Sequence, residues 1–491
     1  MSKLVNTVIS VNKISEAFLS HAKNTFLKEN QVDEFMNACC QPLRKSVRIN
    51  TLKISVAECV KEFDKYGLVS MPIPWCKEGF WLTTKNPDDE SDNIENSSIL
   101  GNLPEHLQGL YYIQEASSML PPLALMGVKQ NLTNAMILDM AAAPGSKTTQ
   151  LAALVDNSGL ILANEMSASR IKALHANLVR CGVYNTCMSQ FDGRKLGERL
   201  SGLFDFVLLD APCGGEGTIR KDANALQDWQ LCKVEEIAKL QKQLVETAYQ
   251  CLKPGGRLVY STCTLSPEEN QQVVSHLLTE TDAQVEPLND LFDGADQSVT
   301  KEGFLHVLPQ IYDSEGFFVA ALSKPETREV NYYSATENTP FIDVDKKILK
   351  QVSQYYATHF SFNLTDYPLK IRQRNKEIWL FPDGFDDLSG VVRLNRSGIK
   401  LAEIYPNKIR STHEFVGCFG DKITQQRASL DLKQAEDFYK GRNLEIDPHV
   451  LQDGEVILTL NGHSIGLGYL RKNKIKNQLP RDLVRDQIQF N

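Results

Sequence analysis

The chain has 491 residues, of which 42% are hydrophobic and 23% are charged, and its net charge is −8. This composition predicts a folded globular protein of about three domains and excludes fibrous and low-complexity classes. No apolar stretch approaches the roughly 18 residues of a membrane span, and the N-terminus lacks a signal-peptide pattern, so we expect a cytoplasmic protein without a membrane partner. Eleven cysteines without a C-x-x-C pair predict reduced thiols and no metal site.

The first predicted region, residues 1–105, combines basic and aromatic side chains. Between residues 42 and 56 there are four basic residues and no acid, and three aromatic residues follow. Such a mixture suits contact with RNA phosphates and stacking on bases, although a solvated surface has similar counts. The residues concerned are Arg44, Lys45, Arg48, Lys53, Trp75, Phe80 and Trp81. Residues 85–98 are polar and acidic and predict a surface loop.

The central region, residues 106–323, alternates short apolar runs with helix-like segments. This alternation predicts an α/β fold with a parallel, doubly wound sheet, and residues 304–322 predict a terminal hairpin. The strand-like runs are 136–140, 159–163, 186–191, 204–209 and 257–261, and the helices include 167–180 and 234–252. Residues 324–338 are predicted to be a linker.

The last region, residues 339–491, has a different pattern of short strands and hairpin turns. The predicted strands are 378–381, 391–394, 455–460 and 465–467, with Asn461-Gly462 as a turn. They predict an α+β or β-rich extension of one or two modules. Its end is basic, with Arg471 and Lys472 among six cations against two acids after residue 460.

A small-residue loop follows the first central strand. It comprises Ala141, Ala142, Ala143, Pro144, Gly145, Ser146 and Lys147 and leads into a helix. Small side chains let a ligand approach the backbone, and a helix N-terminus attracts a carboxylate. Such a turn also occurs as a plain connection in α/β domains.

Acidic residues mark the ends of the following strands. Glu165 follows the second strand, Asp192 the third and Asp210 the fourth. Each alone fits a solvated surface acid, but carboxyl ends of neighbouring parallel strands face one crevice, where acids accept hydrogen bonds from ribose and adenine. The set predicts a pocket for S-adenosylmethionine.

Two cysteines follow the fourth and fifth strands of this sheet. Cys213 lies in Asp210-Ala-Pro-Cys-Gly-Gly-Glu-Gly217, and Cys263 lies in Ser261-Thr-Cys-Thr264. Most free cysteines are buried and inert, but these two lie in polar loops at one crevice. Methylation of carbon 5 of cytosine requires a thiolate that adds to carbon 6 and later leaves. We expect Asp210 near N3 of the base and a second thiol as a helper in release.

These motifs together resemble the Nol/Nop/Sun family of RNA cytosine-5 methyltransferases. The matching segments are Asp139 to Lys147, Asp210 to Gly217, and Ser261 to Thr264 with Pro267-Glu-Glu-Asn270; residues 42–53 and 112–120 resemble upstream motifs. The chain differs in having Gly214 where serine is usual and Ser146 where a second glycine is common. The resemblance implies a Rossmann-like class I methyltransferase fold, Cys263 as nucleophile and Cys213 as the release residue.

The overall layout implies more about the flanking regions and the substrate. It is similar to a bacterial branch of the family, for which an N-terminal α+β RNA-binding region and a C-terminal PUA-like RNA-binding module are expected. The implied substrate is one cytosine in the decoding region of 16S rRNA, on the small ribosomal subunit, and we expect a monomer. Candidate RNA contacts are Arg44, Arg48, Asn50, Arg471 and Lys472.

Several alternatives stay open. A cytosine in another rRNA position or in tRNA is compatible with the same chemistry. A non-catalytic ribosome assembly factor is disfavoured because both cysteines, Asp210 and Lys147 are intact. A small-molecule or protein methyltransferase would have no use for Cys263.

Overall fold

The computed structural model describes residues 14–84, 97–127, 132, 134–326, 339–446 and 451–490. These residues form four β-sheets in chain order. The predicted loop at 85–98 and the predicted linker at 324–338 lie mostly outside the described residues.

The N-terminal part has two helices before a four-stranded antiparallel sheet. Its sheet order is β2-β3-β1-β4, and the last strand lies beyond the predicted domain end at residue 105. The elements are α1 (Glu16–Thr25), α2 (Val32–Cys40), β1 (Lys45–Ile49), α3 (Val56–Lys65), β2 (Leu68–Ile73), β3 (Cys76–Thr84), α4 (Ser97–Asn102), α5 (Pro104–Leu107) and β4 (Tyr111–Ile113).

The central part contains the predicted doubly wound sheet. Its elements are α6 (Leu120–Met126), β5 (Met136–Asp139), α7 (Ser146–Leu154), β6 (Leu160–Asn164), α8 (Arg170–Arg180), β7 (Thr186–Ser189), α9 (Gly197–Leu200), β8 (Phe204–Asp210), α10 (Leu231–Cys251), β9 (Leu252–Thr262), α11 (Gln271–Glu280), β10 (Gln284–Glu286), β11 (Leu305–Val307), α12 (Pro309–Tyr312) and β12 (Phe317–Ser323).

The order of this sheet is β10-β12-β9-β8-β5-β6-β7, with β11 paired to β12. The strands from β9 to β7 are parallel, and β12 pairs antiparallel with β9. Both β10 and β11 pair antiparallel with β12, so the predicted hairpin of β11 and β12 is present. Ile137 and Leu138 are fully buried on opposite faces because helices cover both sides of the sheet. The strand order puts the ends of β8 and β9 side by side, with Asp210 opposite Ser261.

The C-terminal part forms two five-stranded sheets. The first contains β13 (Ile342–Asp343), α13 (Lys346–Phe360), β14 (Leu369–Arg374), β15 (Glu377–Pro382), α14 (Phe385–Leu388), β16 (Ile399–Tyr405), β17 (Lys408–Ser411) and α15 (His413–Phe419). The second contains β18 (Arg427–Ser429), α16 (Leu432–Tyr439), β19 (Leu444–Glu445), β20 (Gly454–Leu460), β21 (His463–Arg471) and β22 (Lys474–Asn477).

One predicted strand in this part is wrong. Residues 391–394 make only isolated bridges, Ser389 with Val392 and Ser189 with Leu394. Val391 and Val392 are apolar because they are buried in the core that the central sheet shares with β15, not because they belong to a ladder. The segment thereby joins the third sheet to the edge strand β7.

Further contacts tie the parts of the chain together. The Ser397 hydroxyl accepts from Met188 N–H and donates to Met188 O, both at 2.8 Å. Gln108 Nε2 donates to Leu460 O at 2.8 Å, which joins the N-terminal part to the last sheet. Among the described helices, none is long and apolar enough to cross a bilayer.

Candidate active site

The small-residue loop connects β5 to the N-terminus of α7. Gly145 has φ of 108°, a left-handed conformation that favours glycine. Ala142 N–H donates to Asn164 O at 2.8 Å, and the Arg170 guanidinium donates to Ala143 O at 2.5 Å. The loop therefore has a fixed shape, and its small side chains leave the backbone open to a ligand.

Glu165 and Met166 follow β6 beside this loop. Glu165 is buried, accepts from Ser167 N–H at 2.8 Å and lies 3.4 Å from the exposed Arg170 guanidinium. Met166, in contrast, is 67% exposed, which is unusual for a large apolar side chain. The Glu165 carboxylate can accept hydrogen bonds from ribose hydroxyl groups, and the exposed Met166 thioether can pack against the face of an adenine ring. The two side chains therefore suit an adenosine moiety.

Asp192 and Asp139 complete the row of acids. Hydrogen bonds from Arg194 lower the pKa of the partly exposed Asp192. Burial raises the pKa of Asp139 to about 7, although Thr148 Oγ1 donates to its Oδ2 at 2.7 Å. The backbone N–H of Ala141 also lowers the pKa of this carboxyl, so Asp139 supports the small-residue loop from behind.

Lys147 and Asp210 form an ion pair at the end of β8. Lys147 Nζ lies 2.7 Å from Asp210 Oδ2 and donates to Ser118 Oγ at 2.9 Å, while Ser261 Oγ donates to Asp210 Oδ1 at 2.8 Å. Burial opposes the charge on Lys147, but the Asp210 carboxylate outweighs it and raises the pKa of Lys147. The pair presents an ammonium donor beside a carboxylate acceptor.

The two predicted cysteines meet in this crevice. Cys213 Sγ and Cys263 Sγ are 3.1 Å apart, and both residues are partly exposed. The hydrogen bond to Cys263, together with burial, raises the pKa of Cys213 well above its usual value. The raised pKa keeps Cys213 in its neutral thiol form, and a neutral thiol can donate its S–H across the 3.1 Å gap to the Cys263 sulfur.

Glu216, in the loop that contains Cys213, holds the loop that contains Cys263. Its Oε2 accepts from the N–H groups of Leu265 and Ser266 at 2.9 and 2.7 Å. Its Oε1 accepts from Ser266 Oγ and Trp229 Nε1, both at 2.6 Å. The side chain is almost completely buried, so these bonds fix the loop after Cys263.

Glu269, in the segment after Cys263, holds the loop that contains Cys213. It follows Cys263 in the chain, and its Oε2 accepts from Gly214 N–H at 2.9 Å and from Gln241 Nε2 at 2.8 Å. Burial raises the pKa of Glu269 to about 7. A Cβ atom on residue 214 would lie 2.7 Å from Glu269 Oε1, so Gly214 lets this carboxyl approach the backbone. Together, Glu216 and Glu269 set the relative position of the two thiols.

Two of the predicted RNA contacts are buried, which corrects their interpretation. Arg48 donates to Gln114 Oε1 at 2.9 Å and to Thr149 Oγ1 at 2.8 Å, and Asn50 donates to Gly109 O and Cys181 O at 2.8 Å. These bonds connect the N-terminal sheet to the central domain. Neither side chain is available to RNA at the surface.

The aromatic residues of the same region are also inside the molecule. Trp75, Phe80 and Trp81 are each 7% exposed, and Trp75 Nε1 donates to Ala116 O at 2.8 Å. Arg44 is half-buried, with its guanidinium 3.6 Å from the centre of the Trp81 ring and 2.7 Å from Asp313. The predicted base-stacking surface is therefore not present at these aromatic residues.

Arg471 and Lys472, in contrast, are exposed at the turn between β21 and β22. Lys474 and Lys476 on β22 are exposed as well, and so is 45% of Tyr469 on β21. This basic hairpin remains open to an RNA partner.

The sequence interpretation missed several residues that shape the site. Glu216 and Glu269 lie within the motifs at 210–217 and 267–270, but the sequence of a polar loop does not indicate that its acidic side chains are buried. Met166 had a usable signal, because a large apolar residue directly after a strand-end acid is a candidate for ring contact. Ser118, which contacts Lys147, comes from a distant segment.

Comparison with known proteins matches four family models to most of the chain. The description "16S rRNA methyltransferase RsmB/F" matches residues 128–323, and "N-terminal domain of 16S rRNA methyltransferase RsmF" matches 14–116. "Ribosomal RNA small subunit methyltransferase F, pre-PUA domain" matches 341–418, and "Methyltransferase RsmF PUA domain" matches 425–485. These matches confirm the predicted methyltransferase and PUA-like modules and S-adenosylmethionine as the cofactor.

Full-length relatives and solved structures agree with these family matches. Ribosomal RNA small subunit methyltransferase F of Psychromonas ingrahamii is 44% identical over 98% of this chain and 99% of its own, and that of Shewanella oneidensis is 46% identical over 97% of each. A solved methyltransferase homologue from Pyrococcus horikoshii is 34% identical, covers 65% of this chain and 100% of its own, and has a TM-score of 0.52. NSun6 from Pyrococcus horikoshii with SFG, 24% identical, covers 64% of this chain and 99% of its own with a TM-score of 0.56, which supports the fold. The chain belongs to the ribosomal RNA small subunit methyltransferase F family.

Proposed function

We propose that this protein transfers a methyl group to carbon 5 of one cytosine in the decoding region of 16S rRNA, on the small ribosomal subunit. The observation that carries the chemistry is the 3.1 Å approach of Cys213 and Cys263 beside the Lys147–Asp210 pair. RNA as substrate is supported by the full-length relatives, which are named for the small-subunit rRNA.

The first chemical step is addition of the Cys263 thiolate to carbon 6 of the cytosine, with the electron pair moving toward N3. Asp210 lies near N3 in this proposal, and Lys147 Nζ, 2.7 Å from Asp210 Oδ2, allows the pair to hydrogen-bond to N3 or to protonate it, which favours this addition. A cytosine within structured RNA must leave its stack to reach these groups. The addition makes carbon 5 an enamine-like nucleophile.

S-adenosylmethionine, held by residues 141–147 and by Glu165 and Asp192, supplies the methyl group to carbon 5. Carbon 5 then gives its proton to a solvent water, the pair of electrons from the C5–H bond re-forms the C5=C6 double bond, and the C6–S bond breaks so that Cys263 leaves as a thiolate. Cys213 assists because its S–H donates a hydrogen bond to the departing sulfur. The basic hairpin with Arg471 and Lys472 binds RNA phosphates away from the reacting base.

The test is transfer of labelled methyl groups to small subunits, naked 16S rRNA and bulk tRNA, with the label identified by nucleoside. We expect 5-methylcytidine in the subunits. Cys263→Ala should abolish transfer but retain cofactor binding, while Cys232→Ala, an exposed cysteine on α10, should be active. Label in tRNA alone, or turnover by Cys263→Ala, would contradict the proposal.

A further inference from the structure

A cavity lies outside the active site, between the third sheet and residues 389–397. It has a volume of about 250 Å³ and is lined by three arginines, two aromatic rings and small polar residues. The residues that matter are Arg374, Arg393, Arg396, Phe341, Trp379 and Ser389. We call it the arginine cavity. None of the described residues that line it is acidic.

Two of the arginines are unpaired. In the part of the chain that the structure describes, the Arg393 and Arg396 guanidinium groups have no ion pair within 4.0 Å and no hydrogen bond, and both side chains are exposed. Arg396 is near enough to Glu414 to oppose the rise in pKa that burial causes in that carboxyl, so Arg393 is the arginine with no acidic neighbour among the described residues. In a protein with a net charge of −8, two unpaired guanidiniums on the wall of one cavity attract an anion. Their forked donors fit phosphate oxygens.

The third arginine forms a stacked group. The Arg374 guanidinium lies 4.9 Å from the centre of the Trp379 ring and 5.2 Å from that of Phe341, and Glu377 holds it in place at 2.8 Å. A planar guanidinium held on aromatic rings is a surface on which a nucleobase stacks. Ser389 also lines the cavity, and its buried Oγ atom lacks a hydrogen-bond partner among the described residues.

The cavity is anchored to the catalytic domain. Asn395, between the two unpaired arginines, donates its N–H to Met188 O at 2.8 Å and its side-chain amide to Gln190 Oε1 at 3.0 Å. Both acceptors belong to the segment that runs from β7 to Asp192. A ligand in the cavity is therefore positioned relative to the cofactor side of the active site.

We propose that the arginine cavity binds one nucleotide of the substrate RNA outside the target base. Arg393 and Arg396 hold its phosphate, and the Arg374 group stacks on its base. This proposal rests on the proposed RNA substrate. It assigns the third sheet a direct RNA contact in addition to that of the basic hairpin.

The experiment measures the affinity of the full chain for 16S rRNA and for a short single-stranded oligoribonucleotide at several potassium chloride concentrations. The test variant is Arg393→Ala with Arg396→Ala. The control is Lys408→Ala with Arg410→Ala, which removes two exposed cations from β17 of the same sheet. A further variant, Arg393→Lys with Arg396→Lys, keeps the charge and loses the forked geometry.

We expect the test variant to lose affinity by about tenfold and its salt slope to fall by about 1.5, as for two lost phosphate contacts. The control should change affinity by less than about twofold, and the lysine variant should recover most of the salt slope. In methyl transfer, KM should rise with kcat unchanged, and binding of S-adenosylmethionine should be the same in all variants.

Equal effects of the test and control pairs would overturn the proposal. So would binding of adenosine monophosphate that depends on Arg393 and Arg396 while RNA affinity does not, because the cavity would then be a mononucleotide site. If the unaltered chain fails to bind RNA, the proposed function itself fails. If it binds RNA and the test variant binds equally well, only the cavity proposal is wrong.

Discussion

At the scale of single residues, the proposed chemistry depends on a difference between two thiols. The pKa of Cys213 is raised well above its usual value, which keeps this thiol neutral, and its sulfur lies 3.1 Å from that of Cys263. Two buried carboxyl groups, Glu216 and Glu269, each hold the loop that contains the other cysteine. The site is therefore organised through its loops as much as through its reacting atoms.

The first prediction concerns Cys213. Cys213→Ala removes the hydrogen bond to the departing sulfur, so we expect a covalent protein–RNA adduct to accumulate and turnover to fall by about 100-fold or more. The measurement is denaturing gel electrophoresis after reaction with RNA and cofactor. Cys232→Ala is the control and should leave no adduct. An inactive Cys213→Ala protein without adduct would contradict the release role.

The second prediction concerns Glu269 and pH. The folded state holds the Glu269 proton with a pKa of about 7, against the usual 4.5, so it binds more protons than the unfolded chain between these values. Stability contributed in this way is present below pH 4.5 and is lost as the pH rises to 7. In Glu269→Gln, we expect the fall in unfolding free energy from pH 4.5 to pH 8 to shrink by up to about 3 kcal/mol.

This comparison isolates Glu269. Asp139 and Glu315 also have a pKa raised by burial to about 7, but both are retained in the variant, so they contribute equally to the two curves. Denaturant unfolding at both pH values gives the free energies. Identical pH dependence in the two proteins would refute the assignment.

At the scale of elements, the first sheet is joined to the start of α7 by Arg48. Its guanidinium donates to Thr149 Oγ1 at 2.8 Å and to Ser146 O at 3.3 Å, in the first turn after the cofactor loop. The N-terminal sheet therefore supports the helix that ends this loop. Arg48 therefore has a structural role, whereas the sequence predicts a contact with RNA at the surface.

The third prediction follows from this contact. Arg48→Ala leaves buried acceptors unpaired, so we expect a loss of about 3 kcal/mol in unfolding free energy and weaker binding of S-adenosylmethionine. Lys77→Ala is the control because its side chain is 87% exposed, and it should change stability by less than about 0.5 kcal/mol. Denaturant unfolding and calorimetric titration measure both effects. If Arg48→Ala lowers stability but leaves the affinity for S-adenosylmethionine unchanged, then the contact of Arg48 with α7 does not influence the loop at residues 141–147.

The sequence predicts the central sheet and its crevice because continuous apolar runs end in acids or cysteines at regular intervals. Asp210 and Cys263 are recognisable in this way, since position along a parallel strand determines position in the crevice. In the N-terminal region, position in the sequence does not determine in the same way whether a side chain is exposed. Arg48 and Trp81 have the composition of an RNA-binding surface, but burial on each face of β1 and β3 depends on neighbours far along the chain. The apolar pair Val391-Val392 gives a false prediction of a strand for the same reason, because both side chains pack in the core without belonging to a β-ladder.

At the scale of the whole molecule, the third sheet is attached to the edge of the catalytic sheet through residues 394–397. Ser397 is 5% exposed and bonds both backbone groups of Met188 in β7. This attachment fixes the orientation of the arginine cavity relative to the active site. The catalytic and C-terminal parts are therefore connected by buried hydrogen bonds as well as by the chain.

The fourth prediction tests this attachment. Ser397→Ala leaves the buried Met188 N–H without its acceptor, so we expect a loss of about 1.5 kcal/mol and faster hydrogen exchange at Met188. Ser429→Ala, at an exposed position in β18, is the control and should leave both quantities unchanged. Unchanged exchange at Met188 in Ser397→Ala would show that the edge strand is held by other contacts.

The close approach of the two sulfur atoms also makes the protein sensitive to oxidants. Thiols 3.1 Å apart need only lose two electrons and two protons to form a disulfide, so a mild oxidant such as diamide should remove the nucleophile before it modifies the buried cysteines. We expect methyl transfer to stop on treatment and to return with dithiothreitol, and intact-protein mass should register one disulfide that Cys213→Ser cannot form. Methylation by this protein would then depend on the reducing capacity of its surroundings.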